Sequence, residues 1–222
     1  MKPSNLPALM SDLRGRYMRG SSRETGTALG NITAKTEDPF KVLISTILSQ
    51  RTRDEMTEKA SYALFAEFPD ARSLAAASLS EVRRLIRPVG FYNQKSVRVR
   101  EVSRIIVEEH RGKVPFSFEE LVALPQVGPK TANCVLVYGF GIPAMPVDTH
   151  VHRITNRLGL VRTKTPEGTE AALVRKVPRE YWIDFNGLLV RFGQEICRPL
   201  RPRCPVCSFR SFCDYYRKSM RR

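Results

Sequence analysis

Apolar residues recur at three- and four-residue spacing along almost the whole chain, the period of amphipathic helices rather than the alternation of strands, so the pattern predicts an all-α fold. Asp38-Pro39 opens an apolar helix running to Leu48, a second spans 53–65, and Asp70 caps a short third. Ser78 with Glu81 forms a capping box, and Gly90 ends that segment. Val97, Val99, Val102, Ile105 and Ile106 make one apolar stripe on a helix over 93–110, stopped by Gly112, with its arginines facing outward. Ser117 and Glu120 start a short helix ending near Leu124; the turn Pro125-Gln126-Val127-Gly128 then leads into another helix with Pro129 at its first position. Further helices are predicted over 149–158, 166–176 and 181–197, before a basic tail that carries cysteines. No internal repeat or low-complexity linker interrupts the pattern.

Composition narrows the class of partner. The 222 residues suffice for one large domain or two small ones around a shared cleft, without disulfide staples. Lys and Arg number 37 against 22 Asp and Glu, a formal charge of +15 that favours a polyanion, nucleic acid ahead of a membrane surface. No apolar stretch approaches the roughly 18 residues a membrane helix needs, since 135–147 is broken by Gly and Pro. The opening Met-Lys-Pro-Ser-Asn-Leu-Pro lacks the apolar core of a secretory signal, which favours a reducing intracellular compartment and no membrane partner.

Three constellations carry candidate chemistry. In Leu124-Pro125-Gln126-Val127-Gly128-Pro129-Lys130-Thr131, a glycine-containing hairpin feeds a helix whose first amides suit a phosphate, with Gly128 letting the backbone come close; an ordinary helical hairpin is the plain alternative. Lys130 lies in the first turn of that helix, where the positive helix end disfavours the charged amine and so favours a nucleophile; a phosphate-binding or solvated lysine is the plain alternative. Asp148, in Pro146-Val147-Asp148-Thr149-His150-Val151, is an N-cap by position, and a carboxylate held there can also support a developing cation or take a proton from an amine.

Cys197, Cys204, Cys207 and Cys213, spaced C-x6-C-x2-C-x5-C, imply a metal centre. Structural zinc usually takes two close pairs and only Cys204 and Cys207 form one, so an iron-sulfur cluster is the better reading and zinc its rival. The intervening loop offers Arg198, Arg201 and Arg203 to a phosphate backbone, and Cys134 reads as core.

Taken together, the hairpin ending in Lys130, the Val-Asp-Thr-His segment with Asp148 eighteen residues later and the four cysteines resemble the endonuclease III family. The resemblance implies the helix-hairpin-helix DNA glycosylase fold, with a six-helix barrel domain at about 32–142. Residues 1–31 and 143–222 would form a second helical domain holding a 4Fe-4S cluster, the two domains flanking a DNA-binding cleft. It implies a bifunctional glycosylase and abasic-site lyase: Lys130 attacks C1′ of a flipped nucleoside, Asp148 assists, and β-elimination nicks the strand. Double-stranded DNA bearing oxidised pyrimidines, thymine glycol among them, or abasic sites would be the partner of a monomer, cytoplasmic and nucleoid-associated in a prokaryote. DNA contacts map onto Gln50, Arg51, Phe91, Tyr92, Asn93, Gln126, Val127, Gly128, Thr131 and His150, with Phe91 the candidate wedge into the base stack, although a buried aromatic is nearly as good a reading. Leu48-Ser49-Gln50-Arg51-Thr52-Arg53-Asp54 departs from the family's usual Ser-Ala-Gln-Ala-Thr-Asp run: Arg51 stands where a gap-filling glutamine is expected, which leaves the reading of the opposite base open. A monofunctional mismatch-directed glycosylase and a non-catalytic damage-binding module remain the alternatives.

Overall fold

The computed structural model of the protein describes residues 5–18, 20 and 24–219; the opening Met-Lys-Pro-Ser, considered above for a leader, lies outside them. Among the described residues the secondary structure is helical throughout, with no strand and no helix long and apolar enough to cross a membrane. The chain packs as two compact units, Ala28–Ile142 on the one hand and Met1–Thr27 with Pro143–Arg222 on the other. Within the first of these, α2 (Ala28–Thr36) packs on its neighbours α3 (Pro39–Ser49) and α4 (Asp54–Glu67).

In the unit Ala28–Ile142, α3 is the central element. Val42, Leu43, Ile44, Ser45, Thr46, Ile47 and Leu48 are all buried, so this helix is enclosed on every side, and α2, α4 and α7 (Tyr92–Glu108) pack around it. Its start is local chemistry: Asp38 accepts from the Phe40 N–H at 2.8 Å ahead of Pro39. The short helices α5 (Ala71–Ala76) and α6 (Leu79–Leu85) both open with capping boxes, Asp70 with Ser73 and Ser78 with Glu81, and α8 (Phe118–Ala123) is capped by Ser117. Each of these start signals is a bond across three residues, which is why the sequence shows them.

The stripe on α7 is rotated from the expected one. Val99, Val102 and Ile106 are buried, but so are Lys95, Ser96 and Ser103, while Val97 is 42% exposed. α9 (Pro129–Cys134) continues without a break into a π-helix over Val135–Phe140, where Gly139 lies against Pro39 of α3. The π segment has no side-chain cap at its start.

In the second unit, α1 (Leu6–Tyr17), α10 (Thr149–Leu158), α11 (Pro166–Lys176) and α12 (Trp182–Glu195) enclose a core of Leu9, Met10, Leu13, Val151, Ile154, Phe185, Leu188 and Leu189; α13 (Asp214–Ser219) packs on α10. The Arg14 guanidinium donates to both oxygens of the buried Asp184, at 2.5 and 3.2 Å, tying α1 to α12. Gly193 permits close approach of α10: a Cβ there would stand 2.4 Å from His150 Nδ1.

Candidate functional site

Within the unit Ala28–Ile142, the structure gathers the residues around 50, 91 and 126. Gln50, at the C-terminal cap of α3, donates through Nε2 to the Gln126 carbonyl at 3.1 Å and to Thr131 Oγ1 at 3.4 Å. Arg51, Phe91 and Gln126 all take left-handed backbone angles, with φ of 52°, 57° and 64°. Non-glycine residues in that region store strain of about 1–3 kcal/mol each and cluster where a binding surface is shaped. The Arg51 guanidinium stands over the Phe91 ring, 5.7 Å from its centroid. Phe91 is 55% exposed, so it is not the buried aromatic of the alternative reading. Tyr92 begins α7 half-buried, and Asn93 is exposed while its carbonyl accepts from Ser96 Oγ at 2.7 Å.

The hairpin places its residues unequally. Val127 is buried and its N–H donates to the Leu124 carbonyl at 3.1 Å. Thr131 is buried as well, and its hydroxyl serves Gln50 rather than an outside group. The left-handed residue of the turn is Gln126, not Gly128, whose φ is −84°. A Cβ on Gly128 would meet nothing within 4 Å, so the protein's own packing does not require glycine there. Lys130 is half-buried in the first turn of α9, ahead of the first intrahelical bond from the Ala132 N–H to the Gly128 carbonyl.

In the second unit, Asp148 is the N-cap of α10 and accepts from the Val151 N–H at 2.8 Å through Oδ1. His150 Nδ1 lies 3.2 Å from Arg153 Nη2, and that guanidinium also donates to the Cys197 carbonyl at 3.0 Å. Cys197, Cys204, Cys207 and Cys213 line one cavity together with Leu158 and Phe192, and none of the four is in a disulfide. Burial raises the thiols of Cys204 and Cys213 and pushes Cys207 up to about 11. Among the described residues, no three of His, Cys, Asp or Glu stand where a single metal ion would be held. Arg198, Arg201 and Arg203 are exposed along the loop between the first two cysteines, and Leu200 beside them is 83% exposed at its tip. Arg157 holds this loop from α10, donating to the carbonyls of Arg198 at 2.6 Å and Pro199 at 2.8 Å.

Sequence reasoning missed two residues here. Arg157 lies one turn beyond Arg153 on α10, and nothing local marks it as the support of a loop some forty residues away. Lys95 is the second: its Nζ is buried and donates to the carbonyls of Leu48 at 2.7 Å and Gln50 at 2.5 Å and to Thr52 Oγ1 at 3.0 Å. A lysine in the first turn of α7 reads as a solvated charge until the fold brings the end of α3 against it.

Comparison with known proteins extends these observations along the chain. Residues 44–179 match the family model described as HhH-GPD superfamily base excision DNA repair protein. Endonuclease III of Thermotoga maritima is 53% identical over 184 residues, covering 83% of this chain and 86% of that protein. Among solved structures, a non-covalent endonuclease III–DNA complex superposes with a TM-score of 0.87 at 28% identity and covers all of both chains. A trapped endonuclease III–DNA covalent intermediate, an estranged-adenine complex, superposes with a TM-score of 0.84 at 28% identity over 99% of each.

Proposed function

Because the chain belongs to the HhH-GPD superfamily of base excision DNA repair proteins, and within it to the endonuclease III family, we propose that it excises damaged pyrimidines and nicks the strand at the abasic site that results. The observation that carries this reading is the likeness over essentially the full chain to an endonuclease III caught as a covalent intermediate with DNA. A covalent step needs an amine or other nucleophile, and Lys130 is the residue assigned to it: half-buried, in the first turn of the helix that follows the hairpin.

The steps follow from that assignment. The Lys130 amine attacks C1′ of a nucleoside turned out of the stack, the C1′–N bond breaks, and the base leaves with the bonding pair and a proton. Asp148 accepts from the Val151 N–H while it caps α10, and its carboxylate is the group assigned to take the amine's proton and to stabilise the cationic sugar. The sugar ring opens to an imine with Lys130; the imine acidifies the C2′ hydrogen, and loss of that proton expels the 3′ phosphate. Gln50, Arg51, Phe91, Tyr92, Asn93 and Gln126 are the duplex-facing set on one unit, and His150 with Arg198, Arg201 and Arg203 on the other. Gly128 belongs with the first set, because a position with open space and ordinary backbone angles has use for glycine only where an outside group comes close.

The four cysteines fit a 4Fe-4S cluster: sulfurs around a common cavity suit a group whose irons fill the space between them. Cys197, Cys204, Cys207 and Cys213 would hold it, and when bound it supplies a cross-link that stiffens the arginine loop, together with redox-active iron. Work on chromosomal DNA would place the protein at the nucleoid of a prokaryotic cell, as a monomer with DNA as its partner.

Borohydride trapping tests the reading. Duplexes carrying thymine glycol or an abasic site should give a covalent adduct with the native chain and none with Lys130→Ala. A native protein that binds these duplexes with its cluster in place, releases base and never gives an adduct would be monofunctional, and the lyase assignment would be lost.

A further inference from the structure

Lys95 has no part in the steps above, yet it is a buried cation of the unit Ala28–Ile142. Its three N–H donors meet three oxygens: the Leu48 carbonyl in the last turn of α3, the Gln50 carbonyl just beyond it and Thr52 Oγ1. Thr52 Oγ1 also accepts from the Gly90 N–H at 3.1 Å and donates to the Gln50 carbonyl at 3.3 Å. One ammonium and one hydroxyl therefore tie the segment that displays Gln50 and Arg51 to the segment that displays Phe91. Gly90 seals the contact, since a Cβ there would stand 2.8 Å from the Arg51 carbonyl oxygen. The two segments held this way are the ones with left-handed Arg51 and Phe91, a conformation that persists only where surrounding contacts enforce it.

Resting on the glycosylase reading, we propose that Lys95 is a positioning residue for lesion recognition: its ammonium locks the Gln50–Thr52 and Gly90–Phe91 segments into one duplex-facing surface without touching DNA itself. The ammonium matters, and not only a side chain of the right length. A neutral amine has two N–H donors, leaving one of the three oxygens facing a lone pair. An ammonium at the end of α3 also meets the negative pole of that helix.

Its charge is held against burial, which pulls Lys95 down from the ordinary 10.5 to about 8. Arg51 and Arg98 share its cavity, and among the described residues no carboxylate lines it. The helices packed on α7 bring Lys41 on α3, Arg72 on α5 and Glu81, Arg83 and Arg84 on α6; burial rather than any of these lowers the group. A lysine that releases its proton earlier in the folded than in the unfolded chain makes folding more favourable as pH rises from about 8 to 10.5. Weaker lesion recognition in that window is then a local event and not unfolding.

The experiment uses full-length protein carrying Lys130→Ala, so that no catalytic amine titrates, and measures the ratio of affinities for a thymine glycol duplex and the matching undamaged duplex between pH 6.5 and 9. The ratio should fall roughly tenfold across the range, the size expected when one strained segment loses its support. Adding Lys95→Met should give the low ratio at every pH, with thermal stability lowered, because the Leu48 and Gln50 carbonyls lose their donor. A ratio that is flat with pH in the parent and unchanged by Lys95→Met overturns the proposal. Should Lys95→Met fail to fold, the pH series of the parent decides alone. Loss of borohydride trapping in the chain with Lys130 intact would instead sink the glycosylase reading, which separates the two failures.

Discussion

Gly90→Ala tests whether the contact between the two recognition segments is as close as the structure has it. The added methyl would lie 2.8 Å from the Arg51 carbonyl oxygen and 3.6 Å from Thr52 Oγ1. The first of these is a backbone atom that cannot swing aside, so relief requires one segment to move by several tenths of an ångström. That movement stretches the Gly90 N–H bond to Thr52 and disturbs the Lys95 contacts behind it. Overpacking of this kind costs roughly 1–3 kcal/mol, offset by the ~0.4–1 kcal/mol that Gly→Ala returns by restricting the unfolded chain. The net is a loss of about 1–2 kcal/mol, a fall in Tm of about 2–8 °C for a chain of this size. Thermal unfolding reads the stability, and single-turnover excision of thymine glycol from duplex DNA reads the displaced Phe91. Gly128→Ala is the matched control: with nothing within 4 Å and an ordinary φ, it should keep or slightly raise Tm while weakening duplex affinity. A Gly90→Ala protein as stable and as active as the parent would refute the argument outright.

Asp148 can be separated into cap and catalyst: Asp148→Asn keeps an acceptor for the Val151 N–H and should hold Tm within about 1 °C while excision falls at least a hundredfold, whereas Asp148→Ala also loses about 1 kcal/mol of helix stability. Phe91→Ala removes an exposed ring, so stability should barely change while excision from duplex drops more than lyase activity on a single-stranded abasic oligonucleotide; equal losses on both would remove the wedge role. Arg14→Met leaves the buried Asp184 carboxylate without its guanidinium and should cost about 2–3 kcal/mol by denaturant unfolding, the lower end for a buried pair because Arg14 is itself part-exposed. Oxidative removal of iron from the purified protein should bleach its visible absorption and weaken DNA affinity through the loop bearing Arg198, Arg201 and Arg203, while a colourless, zinc-loaded protein as isolated would overturn the cluster assignment.

The sequence by itself determined the features that act over three or four residues. The caps at Asp38, Asp70, Ser78, Ser117 and Asp148 are bonds within a single turn, and each stands where its side-chain type and spacing put it. The cysteine spacing, the basic loop and the lysine after the hairpin are legible for the same reason: chain connectivity alone keeps such residues near one another. What the tertiary structure decided are the contacts across long separations. Val97 looks like part of the apolar stripe and is exposed, whereas Lys95 looks like a surface charge and is buried, because the end of α3 supplies three oxygens that no pattern within α7 encodes. The left-handed residue of the hairpin turn is Gln126, and Val127 packs into the core, placements that no pattern within the turn encodes. A buried cation or a strained backbone is tolerated only where remote groups compensate it, and local periodicity carries no record of those groups.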